Sequence, residues 1–526
     1  MTEFKSTAET DSSEVQNEAA TNANSDYPVT GTAMDRKDMW RMGKTQELRR
    51  NFRSLSIFAF TMVLVATWEA QFNVSMFGLI NGGTGGLIWV YIGTFTGIFC
   101  AMLSMAEMAS MAPTSGGQYH WVSEFAPRSA QKFLSYLVGW LSVLGWQVGN
   151  VAIAFLASQQ IQGLVILNNP SYEPQRWHLT MTVIAILTLC QSMNMFFYRA
   201  LPILELVALV LHTAGFFAIL IPLWVTGPKP PSTYDVFFTF TDGGGWDNTG
   251  LSCLVGMLSP LFGLVGTDSA THMSEELRNA GKSLPRAMIA STLVNGAMGL
   301  VMIVTFCMLL GDLESVVNTP TTQPFIQVFY NAVQSTGGAT AMTCIMVVMS
   351  VCSVVNIIAT SSRQLWAFAR DRGVPFSPWF ARVDSRWGLP MNALVFSYIF
   401  AVLLSLINIG STIAFNILSS IGIGALMSSY VISIGCVTLK RLRNEPLLPR
   451  SFDLGRAGLP INIFSVLFVF FAFIMTFFPP TPNPTPEAMN WSCLMYGVIV
   501  IFSLVYYLVR GRYTYVGPVA YVRATA

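Results

Sequence analysis

The fold turns on one stretch, Ser259-Pro260-Leu261-Phe262-Gly263-Leu264-Val265-Gly266-Thr267-Asp268. It lies inside an apolar run long enough to cross a bilayer. Pro260, Gly263 and Gly266 fall within seven residues. Together they disfavour a continuous helix, because Pro lacks an N–H and Gly costs about 1 kcal/mol relative to Ala. Irregular backbone at that depth is tolerated only where protein buries it or a cavity adjoins it. Thr267 and Asp268 suit the cap of a following half-helix; the plain alternative is a Pro/Gly kink with a capping Asp. Ala66-Thr67-Trp68-Glu69-Ala70 repeats the arrangement in the first apolar run. Thr67 is a suitable N-cap and Glu69 suits the first turn of a new helix, which places a joint near Ala66–Trp68. The plain alternative is that Glu69 only caps. A carboxylate at mid-membrane costs about 2.5–3.5 kcal/mol, so Glu69 and Asp268 must face protein, water or a ligand.

The rest of the chain agrees with a membrane setting. Of 526 residues, 53% are hydrophobic and 11% charged. The charged share is less than half the ~25% of soluble domains. That excludes a soluble enzyme, a disordered protein and a nucleic-acid binder; a net charge of +2 says nothing about partners. Twelve apolar segments are long enough to span. The expected layout is a disordered tail over 1–53, a first five-helix repeat over 54–225, a loop over 226–250 and a second repeat over 251–438. A loop over 439–459, two further helices over 460–509 and a tail over 510–526 complete it. Breaks in segments one and six, at matching places of two five-helix halves, indicate an inverted-repeat transporter. This expectation rests on topology, since no residue-level repeat joins the halves.

Charge sets the orientation. With the N-terminus inside, all 29 Lys and Arg except Arg176 and Lys229 fall on the inner side. By the positive-inside rule both termini are cytoplasmic. The first 53 residues are polar, so no secretory signal is expected and the first span does the targeting. The Asn490-Trp491-Ser492 sequon falls outside, close to the membrane.

Other polar groups are weaker candidates. Glu107 and Glu205 lie near inner ends of spans, where pairing or hydration accounts for them. His212 is deeper, and an ordinary pKa of about 6.5 suits proton exchange; a hydrogen-bonded structural histidine is the alternative. His272 with Asp268, Glu275 and Glu276 has helical spacing but no Cys partner, so no metal site is expected. The eight cysteines lie in or beside apolar runs without a CxxC pair and read as buried thiols.

Three stretches carry a family resemblance. They are Ser104-Met-Ala-Glu107-Met-Ala-Ser110-Met-Ala-Pro113-Thr-Ser-Gly116-Gly117-Gln118-Tyr119-His-Trp121, then Gly266-Thr-Asp268-Ser-Ala-Thr-His272-Met-Ser-Glu275-Glu276-Leu-Arg-Asn279, and Ser361-Ser-Arg363-Gln-Leu-Trp-Ala-Phe-Ala-Arg370-Asp371-Arg-Gly373-Val-Pro375. With Thr67-Trp68-Glu69-Ala70, they resemble the fungal amino acid/choline transporters (GABA- and choline-permease-like) of the amino acid–polyamine–organocation superfamily. The resemblance implies an all-α polytopic membrane protein with twelve transmembrane helices. Its fold would be a LeuT-type five-plus-five inverted repeat plus two C-terminal helices, with helices one and six discontinuous. It implies binding at the breaks: Thr67, Trp68 and Glu69 on the first, and Phe262, Gly263, Gly266 and Asp268 on the second. His212 falls near a segment-five lysine of some proton-coupled relatives. Many relatives carry a Gly-Ser-Gly-like run at the first break to hold a substrate carboxylate. This chain has Val65-Ala66-Thr67-Trp68-Glu69 there, which weakens the case for an ordinary α-amino acid.

Glu69 and Asp268 supply negative charge for an ammonium or quaternary amine, and Trp68 and Phe262 add cation–π attraction. The expected function is secondary transport of small amines or amino acids such as choline or GABA, with proton-coupled uptake, in the plasma membrane. Export, a vacuolar role with alkaloid-like amines, or a non-transporting sensor are the alternatives on this scaffold. No HExxH, GxSxG or Walker motif supports a membrane enzyme, and no cofactor or metal is expected.

Overall fold

The computed structural model describes residues 31–311, 313–410, 414–486 and 489–520. Those residues form helices and connecting loops, with no β-strand. In hydrocarbon a helix satisfies its own backbone, which is why runs of Leu, Ile, Val and Phe resolve into helices here. The helices that bear on the site are, in chain order, α1 Ala33–Arg41, α2 Ser54–Val65, α3 Thr67–Met111, α4 Gln118–Phe125, α5 Gln131–Asn168, α6 Arg176–Phe196 and α7 Leu201–Thr226. There follow α8 Thr249–Val255, α9 Leu258–Leu264, α10 Ser269–His272, α11 Ala280–Met308, α12 Thr336–Arg370, α13 Met391–Ser405, α14 Ala414–Leu442, α15 Gly458–Met475 and α16 Ser492–Tyr506.

Eleven helical stretches among the described residues are long and apolar enough to cross a membrane. The first, Ser54–Met111, has 58 residues. At 1.5 Å per residue that is about 87 Å, nearly three times a hydrocarbon core of ~30 Å. Gly83, at φ 67° and ψ −171°, breaks it. Its length suffices for two crossings that meet at Gly83. The outer faces carry bare apolar side chains: Ile203 and Val210 are each 66% exposed and Leu467 65%. Exposed apolar area on that scale fits lipid rather than water.

The core forms where α3 packs on α9 and α11, and α5 on α12 and α14. At the α5–α14 seam the backbones touch. A Cβ on Gly145 would lie 3.2 Å from the Gly422 carbonyl oxygen and collide with Leu426.

The N-terminal expectation needs correction. Residues 1–30 lie outside the described residues, but 31–53 are an ordered strap rather than a disordered tail. Thr32 and Asp35 form a reciprocal capping box that starts α1. Asp35 also accepts from the backbone N–H groups of Asn279 (3.0 Å) and Ala280 (3.1 Å), capping α11 from a distance. The Asn490 amide is buried and donates to the carbonyls of Thr476 and Phe478.

Candidate functional site

Both expected breaks are present as backbone geometry. Between α2 and α3, Ala66 is left-handed (φ 39°, ψ 53°). Thr67 is not the cap: Ala66 holds that position without a side-chain bond, and the Thr67 hydroxyl is buried without a partner. Between α9 and α10 the chain is extended at Val265 and Gly266 takes φ +123°, a conformation that L side chains rarely adopt. Gly263 serves contact instead. A Cβ there would lie 2.2 Å from the Gln71 amide nitrogen, so glycine lets the two broken helices meet.

A cavity of about 80 Å³ lies between the breaks. Glu69, Phe262 and Gly266 line it, with Trp146 of α5, Ser350 and Ser353 of α12, and Ser419 of α14. A cavity of about 150 Å³ accommodates benzene, so this one must enlarge to admit an organic substrate. Phe262 packs against Phe415 with ring centroids 5.5 Å apart and planes tilted by 57°, an aromatic contact beside the cavity.

Glu69 is 1% exposed. Its Oε1 lies 2.7 Å from His212 Nδ1 of α7, while Oε2 has no protein partner. His212 is fully buried and its Nε2 is likewise unpartnered. The two residues that the sequence singled out on separate helices are thus one pair. Trp68 does not line the cavity. It packs on the rings of His212 (5.8 Å) and Phe216 (6.1 Å) and seals the far side of the pair.

Asp268 also lies outside the cavity lining. Its side chain makes no cap bond; Gln118 Nε2 of α4 donates to Oδ2 at 2.6 Å and Tyr430 Oη of α14 donates to Oδ1 at 2.5 Å. Both carboxylate oxygens are therefore engaged by protein. The arrangement ties the second break to α4 and α14, a coupling of elements rather than an open anion.

The other sequence candidates are structural hubs. Glu107 takes both oxygens to Arg441 (2.7 and 2.8 Å) and lies 3.2 Å from Arg450. Glu205 accepts from Asn356 Nδ2 at 2.8 Å. The acidic run after α10 meets arginines: Glu275 bridges Arg370 in a two-pronged contact (2.6 and 2.8 Å), and Glu276 accepts from Arg363 Nε at 2.8 Å. No cluster of three or more His, Cys, Asp or Glu suited to a metal occurs among the described residues.

These pairs belong to a lattice on the basic face of the molecule, which sequence reasoning missed. Lys44 of the strap bridges Asp371 (2.8 Å), which also accepts from Tyr119 Oη (2.9 Å). Arg50 donates to the carbonyls of Ser274 and Leu277. Phe52 pairs with the chain beyond α10 through its N–H to Glu276 O (2.9 Å) and its carbonyl from Arg278 N–H (3.1 Å). Burial opposes ionisation of Glu275, yet the Arg370 guanidinium together with Lys44 and Arg50 outweighs it and holds the carboxyl below the ordinary range. The strap thus clamps the segment that follows the second break onto the end of α12.

A membrane-spanning bundle with a small cavity between two breaks in its helices has an architecture suited to a carrier. The sequence profile of the amino acid permease family matches residues 51–500. A Macrophomina phaseolina protein provisionally described as an amino acid/polyamine transporter is 30% identical over 83% of this chain and 96% of its own length. Amino-acid permease 2 of Neurospora crassa is 27% identical over 94% of this chain and 91% of its own. The choline transporter of Saccharomyces cerevisiae is 26% identical over 91% and 84%. The chain belongs to the amino acid permease family. It is an integral, multi-pass membrane transporter of amino acids or related compounds, not an enzyme.

Proposed function

We propose that the protein is a secondary transporter of small amines or organic cations, of the choline and GABA kind, with Glu69 as the cation-binding carboxylate and a proton as the coupling ion. The observation that carries this reading is the half-satisfied Glu69: Oε1 on His212 and Oε2 unpartnered in a side chain that lines the cavity. A buried carboxylate oxygen without a partner is costly, and a cation recovers that cost. Phe262 offers its ring to the same cation. Gly266 keeps the cavity floor open, while Thr67, Trp68, Gly263 and Asp268 act from behind as the framework of the two breaks. The similarity to a choline transporter supports the cationic class. The deciding experiment is uptake into proteoliposomes under a proton gradient, with choline, GABA, basic amino acids, polyamines and cyclic amines tried in turn. Uptake of none of them sinks the reading; a sensor would bind without uptake.

His212 gives the coupling a route. Glu69 bonds His212 and also lines the cavity, so one carboxylate senses both a proton on the pair and a cation in the cavity. Coupling needs the pair to bind its proton differently in the two access states, since equal affinity shifts nothing. His212→Gln is expected to flatten the dependence of uptake on pH between about 4.5 and 8. A variant that keeps the wild-type pH profile removes His212 from coupling, whatever its rate.

Asp268→Asn is expected to slow transport while leaving KM within about threefold, because its bonds to Gln118 and Tyr430 join moving elements and not substrate. A large rise in KM with unchanged maximal rate would instead place Asp268 against the substrate.

The orientation proposed from the basic residues puts the strap and its lattice in the cytoplasm of a plasma-membrane protein. Tags at residues 20 and 520 should both stay unlabelled from outside intact cells; labelling of either reverses it.

A further inference from the structure

Five polar side chains line the cavity: Glu69, Trp146, Ser350, Ser353 and Ser419. Two are satisfied within the protein. Ser350 accepts from Gln160 Nε2 at 3.0 Å, and Ser353 donates to the Val63 and Met349 carbonyls at 2.6 and 3.1 Å. Three keep a buried atom without a partner: Glu69 Oε2, Trp146 Nε1 and Ser419 Oγ. Trp146 is 2% exposed and Ser419 4%.

These three atoms differ in chemistry and in place. Glu69 Oε2 accepts, and sits on the α3–α7 side with His212. An indole N–H only donates, and a hydroxyl donates or accepts. Trp146 and Ser419 flank the tight α5–α14 seam: Trp146 follows Gly145, and Ser419 lies three residues before Gly422. Both therefore belong to the α5–α14 side of the cavity. The rest of the lining is mostly apolar and includes Leu64, Ile153, Phe262 and Ile357.

We infer that Trp146 and Ser419 form a second recognition pole, specific for a hydrogen-bond acceptor carried on the substrate away from its cationic nitrogen. The substrate class is then an amine or quaternary ammonium bearing a distal hydroxyl or carboxylate, rather than a plain alkylammonium. The inference rests on the reading of Glu69 as the cation site and adds the residues that select among cations. An apolar isostere without the acceptor leaves both donors buried and unpaired, and sites built to hydrogen-bond a substrate discriminate strongly against such analogues. A carboxylate on the substrate meets two donors here, at a pole separate from Glu69, which removes the repulsion it would meet beside that carboxylate.

The test uses the full-length protein in nanodiscs and measures binding of choline against propyltrimethylammonium, which replaces the hydroxyl by a methyl. Wild type is expected to bind choline about tenfold tighter. Ser419→Ala and Trp146→Phe should each reduce that preference by about fivefold, through weaker choline binding with propyltrimethylammonium unchanged. GABA against butylamine should behave the same way. Glu69→Gln separates the two ideas. It should weaken every cation in parallel; if it weakens none, the Glu69 reading fails while the choline preference still reports the acceptor pole. Equal wild-type affinity for choline and its isostere, or an unchanged preference in both Ser419→Ala and Trp146→Phe, overturns the inference.

Discussion

Glu69→Gln should reduce uptake at least about 30-fold while the protein reaches the membrane in normal amount. The substitution keeps size and shape, and a glutamine side chain still bonds His212. What disappears is the charge. Truncating one partner of a buried, hydrogen-bonded charge pair costs about 2–5 kcal/mol, and each 1.4 kcal/mol is tenfold in affinity. The loss falls on the substrate because Glu69 Oε2 has no protein partner to lose. Glu69→Asp should recover part of the activity, since it restores charge at a shorter reach. Initial-rate uptake, normalised to surface protein, checks both. Unchanged kinetics in Glu69→Gln would reduce Glu69 to a residue that fixes α3 against α7, and the cation would need another anchor.

The breaks were legible in the sequence because they depend on local chemistry. Pro260, Gly263 and Gly266 disfavour a helix wherever they stand, and Glu69 inside an apolar run demands a reason. What each side chain does at a break was less legible, because it depends on partners far along the chain. Thr67 looked like the cap, yet Ala66 adopts the left-handed turn, and nothing in an alanine announces it. Asp268 looked available to a ligand until Gln118 and Tyr430, 150 and 162 residues away, took its two oxygens. Trp68 looked like a cation–π wall but turns its ring to His212. Trp146 and Ser419 passed as ordinary members of spanning helices. A signal was present in Gly145 and Gly149, whose four-residue spacing marks a face for close helix contact.

The strap shows the same limit from the other side. Its polar composition reads as disorder because order is sought in apolar periodicity. Its order comes from ion pairs and backbone contacts with residues over two hundred positions away, such as Arg50 with the Ser274 and Leu277 carbonyls. Composition cannot reveal such partners. They matter for function because they hold the segment that continues from the second break.

Glu275→Ala should release that hold. Glu275 is fully buried, and both its oxygens bind Arg370. Removing one member of a buried pair costs about 3–5 kcal/mol, and Glu47, 3.9 Å from Arg370, offsets only part of that loss. That energy raises the population with an opened basic face by about a hundredfold or more. Trypsin reports it, since Lys44 and Arg50 are cleavable residues now buried in the lattice. Cleavage after Lys44 and Arg50 should accelerate while the helices remain resistant. Lys44→Met should act in the same direction by unpairing Asp371, and Glu275→Gln more weakly, because an amide still accepts from Arg370. The sign with pH follows from the lowered Glu275 carboxyl: its stabilisation is present at neutral pH and lost only as pH falls through that lowered value, below the ordinary ~4.3. Mild acid near pH 5 should therefore leave the strap closed in wild type, which separates this latch from any proton effect at His212. Strap cleavage at the wild-type rate in both Glu275→Ala and Lys44→Met would mean that the lattice decorates the basic face without closing it.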